Sequence, residues 1–445
     1  MCLGHRPSRA RRMPLARAIV GCCLALVLLG ACGSLPPRGS PLPEGTAAAA
    51  APQSSERSGD DLVATVRISI PSGGYGGQDF HPLDWSPDGS ALAFCWGDGL
   101  WIAEGPGFAA VPVARIPGGR VVEARWSPGG TRIGLLVEQQ LPQTELWGSS
   151  VWVVDVDRPQ ARTTKAEALD PLRPKSLNRW LDDRTLSVNL WQGGGAQALY
   201  LLHVETGEVG EFIGEQVQEA GGDYFWSPDG EHVAVQHCCF EKVAVIAATH
   251  PQEAIWLSSL EQPPYQSFQG WLPDGHTFLY TEQDIYIAPT SECTDGFSLW
   301  LWDVQTRARE RLLDNVCRAT PSPDGSRIAL LRADETDSHP SDLALAVLDV
   351  PTGQVTPLGP AGPGWVELSA FGNPEARVLR PPAWSPDGTA LAAWDVKGDV
   401  WLVQADGVAR HRLSQGLAIV DVAWSPDGEH LVLRTSNQGW ILEPE

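Results

Sequence analysis

The amino-acid sequence predicts an all-β protein, an eight-bladed β-propeller built of four-stranded antiparallel sheets. Three observations predict it: a five-residue corner that recurs eight times along 445 residues, strand patterns that follow each corner, and an unpartnered strand at each end of the array. Repetition at this period marks a propeller or a solenoid, not one thick core.

Four corners are identical: Trp85-Ser86-Pro87-Asp88-Gly89, Trp226-Ser227-Pro228-Asp229-Gly230, Trp384-Ser385-Pro386-Asp387-Gly388 and Trp424-Ser425-Pro426-Asp427-Gly428. Four degenerate copies fill the gaps: Trp126-Ser127-Pro128-Gly129-Gly130, Trp180-Leu181-Asp182-Asp183-Arg184, Trp271-Leu272-Pro273-Asp274-Gly275 and Pro321-Ser322-Pro323-Asp324-Gly325. Successive copies lie 40 to 63 residues apart. Pro presets φ, Asp bonds its own backbone and Gly takes a left-handed conformation, so each copy reads as a tight hairpin between two strands. The Trp supplies an apolar body that packs between neighbouring sheets.

Second strands follow the corners, as in Ala91-Leu92-Ala93-Phe94 and His430-Leu431-Val432-Leu433. Third strands read as Leu100-Trp101-Ile102-Ala103, Val151-Trp152-Val153-Val154, Leu299-Trp300-Leu301-Trp302, Val400-Trp401-Leu402-Val403 and their counterparts. The fourth unit offers two candidates, Val243-Ala244-Val245-Ile246 and Ala254-Ile255-Trp256-Leu257; the Trp makes the second the closer match, and the sequence leaves the choice open. Turn pairs such as Thr352-Gly353 and Asp406-Gly407 lead into fourth strands, where Pro357 suits an outer edge. The eighth unit stops after its third strand, and residues 66–70 alternate correctly to complete it, which closes the ring. Seven blades is the alternative if the unit at Trp180, which lacks Pro and Gly, is an insertion.

Residues 1–31 read as an export signal: a basic start with Arg6, Arg9, Arg11 and Arg12, then an apolar run over 18–30 too short for a comfortable membrane span. Leu29-Gly30-Ala31-Cys32 resembles the lipobox of bacterial lipoproteins, which implies lipid attachment at Cys32 and an anchor on the outer face of a bacterial membrane; an ordinary cleaved signal is the alternative. Residues 32–61, rich in Pro, Ser, Ala and Gly, read as a flexible tether, and 62–445 as the propeller.

The corners resemble those of the TolB-type, WD-like repeat family, in which Trp-Ser-Pro-Asp-Gly marks each blade. The resemblance covers Trp85 to the C-terminus and implies the fold while leaving the activity open. Similar propellers include periplasmic scaffolds that bind other envelope proteins, the propeller domains of prolyl-oligopeptidase-like enzymes and a metal-dependent lyase of pectin fragments. A peptidase of that kind needs a Gly-x-Ser-x-Gly elbow, and the chain has none. The lyase reading needs clustered histidines, whereas His232, His276 and His430 follow corners of separate blades, as residues facing water would. No metal or cofactor is therefore expected.

Propeller geometry sorts the loops. Corners occupy one face; loops between second and third strands, and links between blades, occupy the other. Long insertions at 138–149, 288–297, 333–341 and 360–380 fall on that loop face, where a rigid scaffold presents function. The first strands also begin there. Three residues before the corner, blades 2, 4, 6 and 8 carry Glu123, Asp223, Arg318 and Asp421, and His81 and Arg380 sit one residue further back in blades 1 and 7. This mixed-charge funnel suits a polar ligand or a partner loop, or equally the solvation of a water-filled channel.

Of nine Cys, Cys238, Cys239, Cys293 and Cys317 map to the loop face of blades 4 to 6, and export makes a disulfide the first expectation, Cys293 with Cys317 foremost. Cys238 with Cys239 is another option, and the spacing matches no standard zinc site. Cys95 reads as a buried free thiol. The formal charge of -22 becomes -27 without residues 1–31, which carry five Arg and no carboxylate. Such a surface repels nucleic acid and anionic membrane. The expected function is that of a monomeric, non-catalytic envelope lipoprotein that binds a protein or polar ligand through the loop face; the alternative is an enzyme acting on a saccharide or peptide at the channel mouth.

Overall fold

In the computed structural model of the chain the described residues are 65–68, 80–140, 147–156, 162–193, 196–213, 222–237, 242–258, 264–283, 297–333, 343–361, 366–367, 377–378, 381–395, 397–417, 419–435 and 439–443. The signal, Cys32 and tether expected for residues 1–61 lie outside them.

Eight four-stranded antiparallel sheets follow one another. Blade 1 comprises Phe80–Trp85, Ala91–Trp96, Gly99–Glu104 and Ala109–Arg115. The first strands of blades 2 to 8 are Gly119–Trp126, Pro174–Trp180, Gly222–Trp226, Tyr265–Trp271, Val316–Pro321, Ala383–Trp384 and Asp421–Trp424. Blade 8 is completed by Thr65–Ile68, which pairs antiparallel with Gly439–Leu442, Val66 opposite Ile441. The ring therefore closes through its two ends, as expected. The unit at Trp180 is a full blade, so the seven-blade alternative falls. Between blades 6 and 7, Val366–Glu367 pairs with Arg377–Val378 as a small additional hairpin.

Each corner is a hydrogen-bonded turn. In blade 1, Gly89 N–H donates to Ser86 O at 2.9 Å, Ser86 N–H donates to Ala91 O at 2.7 Å, and Gly89 takes φ +76°. The Asp88 carboxylate accepts the Ser86 hydroxyl at 2.6 Å and the Ser90 N–H at 3.1 Å. Blade 3 turns without Pro or Gly in a corner one residue shorter, Leu181 N–H donating to Thr185 O at 2.9 Å, while Asp182 Oδ1 accepts the N–H groups of Arg184 and Thr185, each at 2.7 Å.

The corner Trp joins blades. Its indole N–H donates to the carbonyl of the residue just before the corner of the preceding blade: Trp126 to Asp84 O at 3.1 Å, Trp180 to Arg125 O at 2.9 Å, Trp271 to Phe225 O at 2.9 Å and Trp384 to Thr320 O at 2.9 Å. Trp424 reaches Ala383 O and Trp85 reaches Ala423 O, both at 3.2 Å. Trp226 gets there through a relay, donating to Ser187 Oγ, which donates to Arg179 O at 2.8 Å. Blade 6 has Pro321 in place of Trp. There the ring sits so close to blade 5 that a Cβ on Gly270 would lie 3.1 Å from Pro321 Cδ. Because neighbouring first strands bond to one another in this way, they are the strands around the axis.

Eight apolar clusters fill the seams, one between each pair of neighbouring blades. Fully buried Leu135, Leu186, Leu199, Phe278 and Phe94 sit among them, each contributing on the order of 1.5–3 kcal/mol by leaving water. The third-strand aromatics have a separate task. Several are half-buried and covered by fourth-strand cations, as Arg309 lies 4.6 Å over Trp300 and Arg410 lies 4.3 Å over Trp401. In blade 4 the structure decides between the two candidates for the third strand. Val243–Ala247 is the third strand and Ala254–Trp256 the fourth, with Ala244 opposite Trp256. The large and small partners of that pair have exchanged strands.

Two stability predictions follow from these contacts. Deleting residues 65–68 removes four paired residues and lowers unfolding free energy by about 2–4 kcal/mol at roughly 1 kcal/mol per hydrogen bond, measured by urea denaturation. Trp424→Phe keeps the ring and loses the indole donor, so it costs about 1–2 kcal/mol including the unpaired Ala383 carbonyl. An unchanged midpoint in either variant contradicts the seam assignment.

Candidate functional site

The first strands bring a mixed set of charges to the axis. Alternation in Gly222–Trp226 exposes Asp223 and Phe225 while burying Tyr224 and Trp226. Glu123 and Arg125 of blade 2, Arg318 and Thr320 of blade 6, and Asp421 and Ala423 of blade 8 occupy the same register positions and are half-buried. His81 lies in the first strand of blade 1 opposite Cys95, and Arg380 lies outside the described residues.

The funnel residues are held by the scaffold. Glu123 Oε2 accepts the Leu177 N–H of blade 3 at 2.7 Å. Asp421 Oδ2 lies 3.4 Å from Arg434 Nη2, and its Oδ1 accepts the Val422 N–H at 3.1 Å. Arg318 donates to Cys317 O at 3.3 Å. Burial pushes the Glu123 carboxyl up, opposed by the Leu177 N–H and the Arg125 guanidinium; burial likewise lowers Arg318 below its ordinary value.

Sequence reasoning missed the residues two positions nearer the corner. Asp84 Oδ2 accepts the Trp126 N–H at 2.7 Å, and Oδ1 lies 3.9 Å from Arg125 Nη1; burial raises this carboxyl too. Arg179 donates to Ser227 O and Pro228 O of blade 4. Phe225 is 37% exposed and stacks on Phe268 with centroids 4.7 Å apart. The signal was available, since the period of two that picks out Glu123 also picks out Arg125.

The described histidines are not gathered. His232 packs against Trp271 and His430 stacks on Trp85 at 5.9 Å, each on the next blade's corner, while His276 Nδ1 lies 3.1 Å from Asp274 Oδ1 of its own corner. The expectation that these three simply face water is corrected for His232 and His430, which are half-buried against Trp. Among the described residues one trio, Asp427, Glu429 and His430, has ligand atoms within 4.8 Å of one another. It lies on the corner face of blade 8, away from the funnel, and Asp427 Oδ1 already accepts the Ser425 hydroxyl and the Glu429 N–H.

Cys317 is disulfide-bonded, while Cys293, Cys238 and Cys239 lie outside the described residues. Cys95 is a buried free thiol, as expected, and burial raises its pKa, with Glu123 adding to the effect. Of the long loop-face insertions, only the flanks and the small hairpin before blade 7 are described.

No protein-family model and no curated protein matches the chain. Among solved structures, the Dos1 propeller is similar with TM-score 0.52 and 13% identity over 84% of this chain and 94% of that one. An oligogalacturonate lyase from Vibrio parahaemolyticus has TM-score 0.48 and 13% identity over 86% and 92%, and TolB from Acinetobacter baumannii 0.38 and 16% over 75% and 78%. At these identities the likeness shows the propeller fold and nothing about activity.

The corner carboxylates set an acid limit. Hydroxyl donation from Ser322 and Ser326 holds Asp324 at about 2, and Ser86 and Ser385 lower Asp88 and Asp387 in the same way. The folded values lie below the ordinary unfolded value of roughly 3.9, so this stabilisation is complete above that pH and fades as pH falls toward the folded values. The stability difference between the wild type and Asp324→Asn should therefore shrink between about pH 4 and pH 2 in thermal melts. A difference constant over that window contradicts the assignment.

Proposed function

We propose that the protein is an exported, monomeric binding propeller, anchored through lipid on Cys32 to the outer face of a bacterial membrane. Its ligand is an envelope protein or a polar molecule, captured at the channel mouth on the loop face. One observation supports this most: Glu123, Asp223, Arg318 and Asp421 stand at one register position on the first strands of alternate blades, around one end of the axis. Hydrogen bonds and ion pairs to neighbouring strands hold Glu123 and Asp421, so little ordering is needed when a ligand arrives. His81 and Arg380 complete the proposed funnel.

The test replaces Glu123, Asp223 and Asp421 with Ala and compares retention of envelope proteins on immobilised wild type and variant, with circular dichroism to confirm folding. The proposal expects at least a tenfold loss of a specific partner, in line with removal of charge-assisted contacts of about 1.5–3 kcal/mol each. Unchanged retention removes the funnel as the site. Metal analysis of the purified chain addresses the enzymatic alternative, which a stoichiometric metal would favour.

A further inference from the structure

A cleft of about 940 Å³ opens on the corner face between blades 1 and 2, remote from the funnel. It coincides with a departure in the repeat. Seven corners carry Asp at the fourth letter, and blade 2 carries Gly129. A Cβ on Gly129 would point toward blade 3 and meet the Asp183 carboxylate, which accepts the Gly129 N–H at 2.7 Å. Gly129 and Gly130 form part of the blade 2 wall of the cleft.

The charged residues lining the cleft are Asp88 and Glu104, both carboxylates on blade 1, and no Lys, Arg or His joins them. Asp88 is ionised at neutral pH, since the Ser86 and Ser90 hydroxyls hold its carboxyl below the usual range. Glu104 is exposed and has no hydrogen-bond or ion-pair partner among the described residues. Pro112 and Val113 from the outer strand of blade 1, and Pro128 and Val156 from blade 2, supply apolar walls.

We infer that this cleft docks a short cationic segment of a partner polypeptide, with a Lys or Arg side chain between Asp88 and Glu104 and apolar neighbours against the proline and valine walls. Charge complementarity selects the cation. The volume lies at the upper end of the roughly 300–1,000 Å³ typical of ligand sites, room for several residues where a lone ammonium needs far less.

The test is calorimetric titration of the purified chain with three probes: the peptide acetyl-Val-Lys-Pro-Arg-Val-amide, the same peptide with Glu at both charged positions, and spermidine. The cationic peptide should bind at least tenfold more tightly than the other two. Glu104→Gln, an exposed substitution that leaves the fold intact, should weaken it about tenfold, whereas the triple Ala variant of the funnel should leave it unchanged. Absence of binding, equal binding of both peptides, or indifference to Glu104→Gln overturns the inference. Spermidine binding as tightly as the peptide also overturns it, in favour of a free polyamine as occupant.

Discussion

The ring depends on one contact repeated around it: an indole N–H at the end of one blade's first strand donating to a main-chain carbonyl in the blade before. Each such bond satisfies a donor on a buried ring and an acceptor on a strand edge that no further strand covers. Because the donor is fixed to the corner and the acceptor precedes the previous corner, the bond sets the step between blades as well as joining them. Where blade 6 lacks the Trp, close approach of Pro321 to Gly270 and the bond from Ala319 N–H to Gln269 Oε1 at 3.1 Å take over. A small residue on one side and a rigid ring on the other replace a hydrogen bond by contact.

The blades are not equivalent in turn but alternate. The residue that opens the second strand is long in blades 2, 4, 6 and 8, where Arg132, His232, Arg327 and His430 stand, and short in the others, where Ala91, Thr185, Thr277 and Ala390 stand. Each long residue crosses to the next blade: Arg132 donates to Asp183 O at 2.6 Å, Arg327 lies 5.6 Å over Trp384, and the two histidines pack on Trp271 and Trp85. The same four blades carry Glu123, Asp223, Arg318 and Asp421, while His81 and Arg380 fall in blades 1 and 7. Alternate seams thus carry a long second-strand residue at the corner end, while the seam between blades 3 and 4 is bridged instead by Arg179, which donates to Ser227 O and Pro228 O.

Much of this was legible in the sequence for a definite reason. Turn chemistry is local, so Pro87, Asp88 and Gly89 announce a hairpin without reference to anything distant. Ring closure was legible because the eighth unit lacked a strand and residues 66–70 alternated as one; the structure places that strand at Thr65–Ile68. Blade 4, where two candidates stayed open, shows the limit: the Trp that marks the third strand elsewhere stands on the fourth, with Ala244 opposite Trp256. Of the site, the position of Glu123 could be read from its distance to the corner. Its hydrogen bond to Leu177 could not, because which neighbour a channel-facing side chain meets is set by the rotation between blades. The cleft beside Gly129 was equally hidden, since its walls come from two blades.

Both proposed binding sites sit on a ring joined by the indole seams. The most direct measurement is hydrogen exchange of tryptophan indole protons, followed by nuclear magnetic resonance on the 15N-tryptophan-labelled chain with Trp→Phe variants for assignment. The indoles of Trp85, Trp126, Trp180, Trp226, Trp271, Trp384 and Trp424 should exchange at least about a hundredfold more slowly than that of Trp147, which is 62% exposed. Exchange of these seven at the rate of Trp147 would contradict the seam as the contact that holds the ring.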